Sequence, residues 1–208
     1  MIKTKKLVFN ENIKYPDVEI PKEKVTFIVG RSGCGKSSFF KLLNRSFKEK
    51  SGDIFYNNIN IKEINPYTLR KEILLIGQEP YLFSGSIKEN FKKYYNYAEK
   101  ESISEEKMNF FLNLCSIEIS LDKDVTVLSG GQKQRIFLAI LISFLPKVLL
   151  LDEPSSSLDE NNSISLFKNI IEFCKSEKIT PIFISHSKNI IETFAENIIN
   201  LEGEKQCY

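Results

Sequence analysis

Short runs of apolar residues, separated by longer stretches with helical spacing, recur along the chain. Runs of this kind lie at residues 25–29, 72–78, 148–153 and 180–186, and several of them end on polar residues. Their apolar residues follow one another instead of alternating with polar ones, which is typical of strands buried on both faces. Strands and helices that alternate in this way predict an α/β fold with a mostly parallel sheet.

The first sixty residues follow a different pattern. Residues 6–9 and 18–20 are predicted strands, and residues 53–61 alternate between apolar and polar about Asn57 and Asn58. Two asparagines between alternating segments are typical of a tight hairpin turn. We therefore expect an N-terminal antiparallel β-subdomain beside the parallel sheet.

A segment in the middle of the chain is richer in lysine, glutamate, asparagine and aromatic residues. It spans residues 79–127, and residues 105–115 within it have helical spacing. This segment predicts a small helical subdomain inserted into the fold. The chain is then a single domain of residues 1–208, in which 1–78 and 128–208 form the core around the helical lobe.

Composition narrows the class of protein. Hydrophobic residues make up 42% and charged residues 27% of the 208 residues, typical of a globular domain. A net charge of +2 leaves no basic footprint, so no nucleic acid partner is expected. The longest apolar stretch, residues 136–145, is far shorter than the roughly 20 residues that span a bilayer, and we find no signal peptide. The four cysteines, Cys207 included, form no CxxC pair, so we expect a cytoplasmic chain.

A glycine-rich loop follows the apolar run at residues 25–29. Gly30, Gly35, Lys36 and Ser37 have the spacing of a phosphate-binding loop between a strand and a helix. Glycines let backbone N–H groups turn towards phosphate oxygens, and the helix that begins here adds the positive end of its dipole. Lys36 is expected to reach the β- and γ-phosphates, and the Ser37 hydroxyl to ligate Mg²⁺.

Polar residues at the ends of two other apolar runs complete a nucleotide site. Asp152 is expected to hold Mg²⁺, and Glu153 to activate the attacking water as a general base. His186 ends the last apolar run. Because ligands of parallel sheets bind beyond the carboxyl ends of the strands, we expect these three residues to lie near the phosphate loop.

A second glycine-rich helix start occurs at residues 128–135, "LSGGQKQR". It is a further anion-binding helix N-terminus, because backbone N–H groups and the helix dipole both favour negative charge there. One domain rarely needs two such sites for one nucleotide. The simplest explanation is that this one completes a site on another copy.

Five motifs in order resemble the nucleotide-binding domain of ABC transporters: residues 30–38, 76–91, 128–135, 148–159 and 183–186. The resemblance covers nearly the whole chain. It implies an ATPase that binds ATP with Mg²⁺ and forms a head-to-tail dimer, with a second copy or a paralogous ATPase subunit, around two ATP molecules. It also implies a stand-alone subunit, peripheral on the cytoplasmic face of the membrane, that drives a separate transmembrane permease.

The resemblance also implies roles for individual residues. It assigns the catalytic roles to Glu153, His186 and Gln78, and adds Gln78 to Ser37 and Asp152 as a metal ligand. Residues 157–159 become a loop that crosses the dimer. The nucleotide-binding residues are then Gly30, Arg31, Ser32, Gly33, Cys34, Gly35, Lys36, Ser37, Ser38, Ser129, Gly130, Gly131, Gln132 and Asp159.

Some assignments stay open on the sequence alone. The resemblance implies an aromatic residue before the phosphate loop that stacks on adenine, and Phe9 and Tyr15 are both candidates. Residues 91–97 interleave lysines with aromatic residues, so they form a surface for a membrane protein, a packed lobe or a stacking surface for single-stranded nucleic acid. Residues 81–91 resemble a stretch found in exporter-type members and so favour export. In its compact size the chain is similar to small stand-alone subunits that serve metal-ion or stress-related permeases.

Three alternative functions share some of these motifs. A soluble ABC-type ATPase of DNA repair is split by long coiled coils, and no heptad stretch interrupts this chain. A translation-associated ATPase usually has two such domains in one chain, and only one phosphate loop occurs here. A nucleotide-binding regulator without hydrolysis would not need both Glu153 and His186.

Overall fold

The computed structural model describes residues 1–202, and Cys207 lies outside the described residues. Its strands are β1 (Ile2–Val8), β2 (Glu19–Ile20), β3 (Thr26–Val29), β4 (Ser51–Tyr56), β5 (Ile59–Asn60), β6 (Ile73–Ile76), β7 (Val148–Asp152), β8 (Thr180–Ile184) and β9 (Asn197–Asn200). Its α-helices are α1 (Lys36–Leu43), α2 (Pro66–Glu72), α3 (Ile87–Tyr97), α4 (Glu105–Leu114), α5 (Gly130–Ile142), α6 (Glu160–Ser176) and α7 (Lys188–Phe194). None of the helices in this part of the chain is long and apolar enough to cross a membrane.

The apolar runs form a five-stranded sheet with the order β6-β7-β8-β3-β9. β3 runs parallel to β8 and β9, and β7 runs parallel to β8. Every residue of β7 and β8 is buried, as expected for strands of a parallel sheet. The predicted α/β fold with a mostly parallel sheet is confirmed.

A second sheet contains four strands in the order β2-β1-β4-β5, and its strand pairs are antiparallel. The predicted hairpin is present, because Asn57 and Asn58, with φ of 51° and 67°, turn the chain between β4 and β5. β1 begins several residues before the predicted strand. Ile2 and Thr4 are buried, whereas Lys3 and Lys5, which alternate with them, are not. The lysines make this alternation hard to recognise in the sequence.

The helix that follows the phosphate loop is held by its apolar side chains. Phe39, Phe40, Leu42 and Leu43 of α1 are at most 1% exposed and belong to the same core as residues of β3, β7 and β8. Complete burial of each such side chain contributes about 1.5–3 kcal/mol to folding. The start of α1 is therefore fixed relative to the ends of these strands.

The chain divides into two compact units. The first comprises Met1–Leu75, Pro146–Glu153 and the chain from Cys174 onwards, and the second comprises Ile76–Leu145 and Pro154–Phe173. The second unit contains α3, α4, α5 and most of α6. The sequence-based division, with a helical lobe at residues 79–127, stays a prediction.

In the second unit α5 packs against both α3 and α4. The rings of Tyr94 in α3 and Phe137 in α5 meet with their centroids 5.9 Å apart. Phe91 of α3 and Ile136 of α5 are fully buried. Asn90, also fully buried, ties the preceding loop to α3: its amide donates to the carbonyls of Phe83 and Ser86 at 2.9 and 3.0 Å. These contacts make the three helices of the second unit a packed structure.

Candidate functional site

The phosphate-binding loop joins β3 to α1 in the first unit. The ammonium group of Lys36 donates to the carbonyl oxygens of Gly30 and Arg31 at 2.9 and 3.0 Å. Lys36 is buried, and its side chain closes the loop on itself. The loop therefore surrounds a cation, which is the charge that terminal phosphates require.

α1 begins without a side-chain cap. Its N-cap residue is Gly35, and no side-chain hydrogen bond caps the helix, whereas α2, α3, α4, α5 and α7 each begin with a side-chain cap. The first N–H groups of a helix need an acceptor from outside the helix. An anion at the start of α1 fits that need, and Ser37 and Ser38 lie in this first turn.

The predicted acidic residues and the histidine lie at the ends of β7 and β8. β7 and β8 are adjacent, and β8 is adjacent to β3, so the loops that follow these three strands share one edge of the sheet. Glu153 donates its backbone N–H to the carbonyl of Ile184 at 3.1 Å, which joins the two strand ends. The structure thus brings Asp152, Glu153, His186 and the phosphate loop to the same edge of the sheet.

Glu153 and His186 are in direct contact. Nε2 of His186 lies 3.1 Å from Oε1 of Glu153, and the side chains are 55% and 28% exposed. Glu153 also has a φ of 52°, which is uncommon for a residue with a side chain. Strain of this kind is concentrated at functional sites, where the surrounding structure maintains it.

The second unit contains the glycine-rich start of α5. Ser129 and Gln132 form a reciprocal cap: the Ser129 hydroxyl accepts from the N–H of Gln132 at 3.2 Å, and the Gln132 side chain accepts from the N–H of Ser129 at 3.0 Å. Ser129 and Gly130 are exposed. A Cβ on Gly131 would lie 2.8 Å from the Ser157 hydroxyl, so the helix start packs closely on Ser157.

Asp159 and Gln78 also lie in this unit. Asp159 accepts from the N–H of Asn162 at 3.0 Å, near the start of α6, and this backbone hydrogen bond is the main cause of its lowered pKa. Gln78 is exposed and follows β6. The predicted site residues are therefore divided between the two units: the phosphate loop, Asp152, Glu153 and His186 in the first, and the others in the second.

The two candidates for adenine stacking differ in exposure. Tyr15 is buried, and its hydroxyl donates to the carbonyl of Gly35 at 2.9 Å, so its ring faces do not reach a base. Phe9 is partly exposed, and its ring stacks on that of Phe47 with the centroids 5.2 Å apart and the planes inclined by 4°. Of the two rings only that of Phe9 is partly exposed, and its stacking on adenine stays a prediction.

One residue at the loop has no motif that could have revealed it. Oε1 of Glu202 accepts from the backbone N–H of Arg31 at 2.5 Å and lies 3.6 Å from Nε of the same arginine. Glu202 follows β9, far from the loop in sequence. Only the sheet order, in which β9 is adjacent to β3, brings it there.

Fold and site together define a phosphate-loop ATPase. The family model for "ABC transporter" matches residues 13–156. A phosphate import ATP-binding protein of Listeria monocytogenes is 38% identical over 191 residues, covering 86% of this chain and 70% of that protein. ABC transporter I family member 17 of Arabidopsis thaliana is 32% identical over 194 residues, covering 92% and 73%.

Solved structures agree with this assignment. The structure of cbiO1 from Clostridium perfringens superposes on this chain with a TM-score of 0.81 at 29% identity. The match covers 96% of this chain and 84% of cbiO1, which is described as part of an ABC transporter complex. A bacterial Atm1-family ABC exporter with ATP bound has a TM-score of 0.84 at 23% identity, covering 97% and 36%, and supports the fold alone. The chain belongs to the ABC transporter family, as an ATP-binding subunit whose ATP hydrolysis is coupled to transport.

Proposed function

We propose that this chain binds Mg-ATP, pairs with a second ATPase subunit around two nucleotides, and drives a separate membrane permease from the cytoplasmic face. One observation supports the nucleotide site above all others: the phosphate loop, Asp152, Glu153 and His186 share one edge of the sheet. In this proposal Lys36 and the uncapped N–H groups at the start of α1 bind the terminal phosphates of ATP.

The residues present fit Mg²⁺. Within residues 1–202, no group of three or more His, Cys, Asp and Glu side chains could hold a metal ion by itself. Magnesium at a nucleotide needs fewer protein ligands, because phosphates and waters supply the rest. The Ser37 hydroxyl and the Asp152 carboxylate are the proposed ligands, and Gln78 stays a predicted one. When bound, the ion would neutralise charge on the phosphates.

Glu153 is the proposed general base. Its carboxylate would accept a proton from the water that attacks the γ-phosphate. Glu153 directly follows Asp152 at the end of β7, and so lies at the edge of the sheet that also carries the phosphate loop. His186 contacts Glu153 and, being half exposed, is free to turn towards a phosphate oxygen. Positioning and charge neutralisation supply most of the catalysis of phosphoryl transfer.

The start of α5 is the proposed contribution to the partner's nucleotide. Ser129 and Gly130 are exposed, and the helix N-terminus supplies N–H groups and a positive dipole end. Gly131, Gln132 and the loop that ends at Asp159 are assigned to the same surface. A partner subunit that presents its own phosphate loop to this surface would complete two shared sites.

Replacing Ser129 with arginine tests this surface. The longer cationic side chain should block the dimer and leave ATP binding to the monomer intact. Ser104→Arg is the matched control, since Ser104 also caps a helix of this unit by accepting from the N–H of Lys107 at 3.3 Å. Each change is made together with Glu153→Gln so that the bound ATP stays intact. Light scattering with Mg-ATP should then find dimers for Ser104→Arg and none for Ser129→Arg, and dimers of both variants would refute the role of Ser129.

The permease determines cargo and direction. Relatives include proteins named for phosphate import and, at 29% identity over 198 residues, petrobactin import in Bacillus anthracis. Residues 81–91 resemble a stretch of exporters, whereas these relatives are named for import, so the two comparisons point in opposite directions for the direction of transport. We therefore assign to this chain the energy-coupling step, and co-purification with membrane subunits is the route to the cargo.

The mass in solution of the Glu153→Gln variant, with and without Mg-ATP, tests the shared site. A base-deficient variant should hold intact ATP and accumulate as a dimer, whereas the nucleotide-free form should be a monomer. A wild-type chain in ADP is the control. A variant that binds ATP and stays monomeric in the presence of every candidate partner subunit would contradict the proposal.

A further inference from the structure

The phosphate loop rests on a tyrosine that lies outside its motif. The hydroxyl of Tyr15 donates to the carbonyl oxygen of Gly35 at 2.9 Å. The same oxygen accepts the N–H of Phe39 at 2.8 Å, the first turn of α1. Both hydrogen bonds orient the peptide group between Gly35 and Lys36, where the loop ends and α1 begins.

The geometry of that peptide group links Tyr15 to the nucleotide. The structure has no cis peptide bond among residues 1–202, so the C=O of Gly35 and the N–H of Lys36 point in opposite directions. When the oxygen is fixed towards Tyr15 and α1, the Lys36 N–H is directed away from the helix. That N–H is one of the uncapped donors at the start of α1.

Gly35 and Tyr15 fit only as a pair. Gly35 has a φ of 93°, which favours glycine, and a Cβ there would lie 2.7 Å from the Tyr15 hydroxyl and 3.2 Å from Cγ2 of Ile13. A larger residue at position 35 would displace the hydroxyl from the carbonyl. The glycine is therefore required both by its backbone conformation and by the tyrosine beneath it.

Tyr15 is itself held firmly. Its backbone N–H donates to the carbonyl of Leu7 in β1 at 2.9 Å, and its ring packs on that of Phe39 with centroids 5.1 Å apart. The side chain is 5% exposed. Burial raises the pKa of the phenol well above its usual value, so the hydroxyl stays protonated and remains a donor at physiological pH.

We infer that Tyr15 is a positioning residue for ATP: its hydroxyl orients the Gly35–Lys36 peptide so that the loop is prepared for the terminal phosphates before nucleotide binds. The inference rests on the proposed use of this loop as the phosphate site. Without the hydroxyl, the N–H of Phe39 alone holds the carbonyl of Gly35, so the orientation of the peptide is less restricted and part of the binding energy is lost in ordering it.

Tyr15→Phe tests the inference because it removes the hydroxyl and keeps the ring. Tyr95→Phe is the matched control: Tyr95 is also buried, and its hydroxyl donates to the carbonyl of Ser143 at 3.0 Å in the second unit. Dissociation constants for Mg-ATP, measured by displacement of a fluorescent nucleotide, should rise about three- to tenfold for Tyr15→Phe, the effect of one hydrogen bond. The constant for Tyr95→Phe should stay at the wild-type value.

Steady-state kinetics separate positioning from mere loss of structure. The KM for Mg-ATP should rise in Tyr15→Phe while kcat at saturation stays near that of the wild type, because ground state and transition state lose the same contact. Partial unfolding would instead lower the apparent kcat and leave KM unchanged. Thermal unfolding of both variants measures how much fold stability each hydroxyl contributes.

Two results would overturn the inference. One is a folded Tyr15→Phe protein that binds Mg-ATP as tightly as the wild type. The other is an equal loss of affinity in Tyr95→Phe. A wild-type chain that binds no Mg-ATP would contradict the proposed function itself, which is a separate outcome.

Discussion

Replacing Glu153 with glutamine removes a negative charge and keeps the shape of the side chain. Glu153 lies 3.1 Å from Nε2 of His186, and the amide oxygen of glutamine can accept the same hydrogen bond. The backbone hydrogen bond from residue 153 to Ile184 is not touched by the change. We expect a folded protein that has lost only the group able to take a proton from water.

The expected effects on turnover and on stability differ in size. A general base contributes about 10²- to 10⁴-fold in rate, or about 2.7–5.5 kcal/mol in the barrier. The pair with His186 is solvent-accessible, with side chains 28% and 55% exposed, so its loss should change the free energy of unfolding by at most about 1 kcal/mol. The two effects are far enough apart to be measured separately.

The assay is phosphate release at saturating Mg-ATP, together with the dissociation constant for ATP and a thermal unfolding curve. Glu172→Gln is the control, because it removes a carboxylate from an exposed pair with Lys168 in α6. Turnover should fall by two to four orders of magnitude for Glu153→Gln and remain unchanged for Glu172→Gln. Affinity for ATP should be retained in both variants.

Hydrolysis by Glu153→Gln at the native rate would refute the assignment of Glu153 as the base. A loss of turnover accompanied by a loss of several kcal/mol in stability would refute it as well. In that case the carboxylate would be needed to hold the ends of β7 and β8 together.

Two further predictions follow from single side chains. Phe9→Ala should weaken ATP binding by about 1–3 kcal/mol, the contribution of one base–aromatic stack, and Phe9→Tyr should bind ATP as the wild type does. Calorimetry measures the three affinities, and equal values would exclude Phe9 as the residue that stacks on adenine. Glu196 accepts from Lys175 Nζ and from the N–H of Val25, both at 2.9 Å, and these bonds lower its pKa below the ordinary 4.5. Because the folded pKa is the lower one, this carboxylate stabilises the fold above pH 4.5, and the contribution is lost as pH falls through the folded pKa. Thermal unfolding should find Glu196→Gln less stable than wild type at pH 7 and the two alike at strongly acidic pH, and a difference that persists in acid would contradict the reasoning.

Local sequence was sufficient for the loop and the buried strands. The phosphate loop needs glycines and a lysine at fixed spacing, so the motif predicts it without any distant contact. The apolar runs at β7 and β8 are buried throughout, as their composition predicts. The hairpin of β4 and β5 was predictable for a similar reason, since two adjacent asparagines determine its turn.

Contacts between distant segments were beyond a local pattern. β1 contains a lysine-rich stretch, and only its pairing with β2 and β4 makes it a strand of seven residues. The 3.1 Å contact of His186 with Glu153 depends on β7 and β8 being neighbours in the sheet. The prediction that Phe9 and not Tyr15 stacks on adenine likewise required the burial of each ring.

By itself the sequence determined the class of fold and predicted the residues of the site, because both depend on residue types at short spacing. Tertiary structure alone decided which residues outside the motifs contact the phosphate loop. Glu202 bonds to Arg31 only because β9 and β3 are adjacent in the parallel sheet. Tyr15 lies under Gly35 because its N–H bonds to β1 and its ring packs on Phe39 of α1. The physical reason is that hydrogen bonds and packing depend on which residues are close in space, and a local pattern along the chain does not say which distant segments become neighbours.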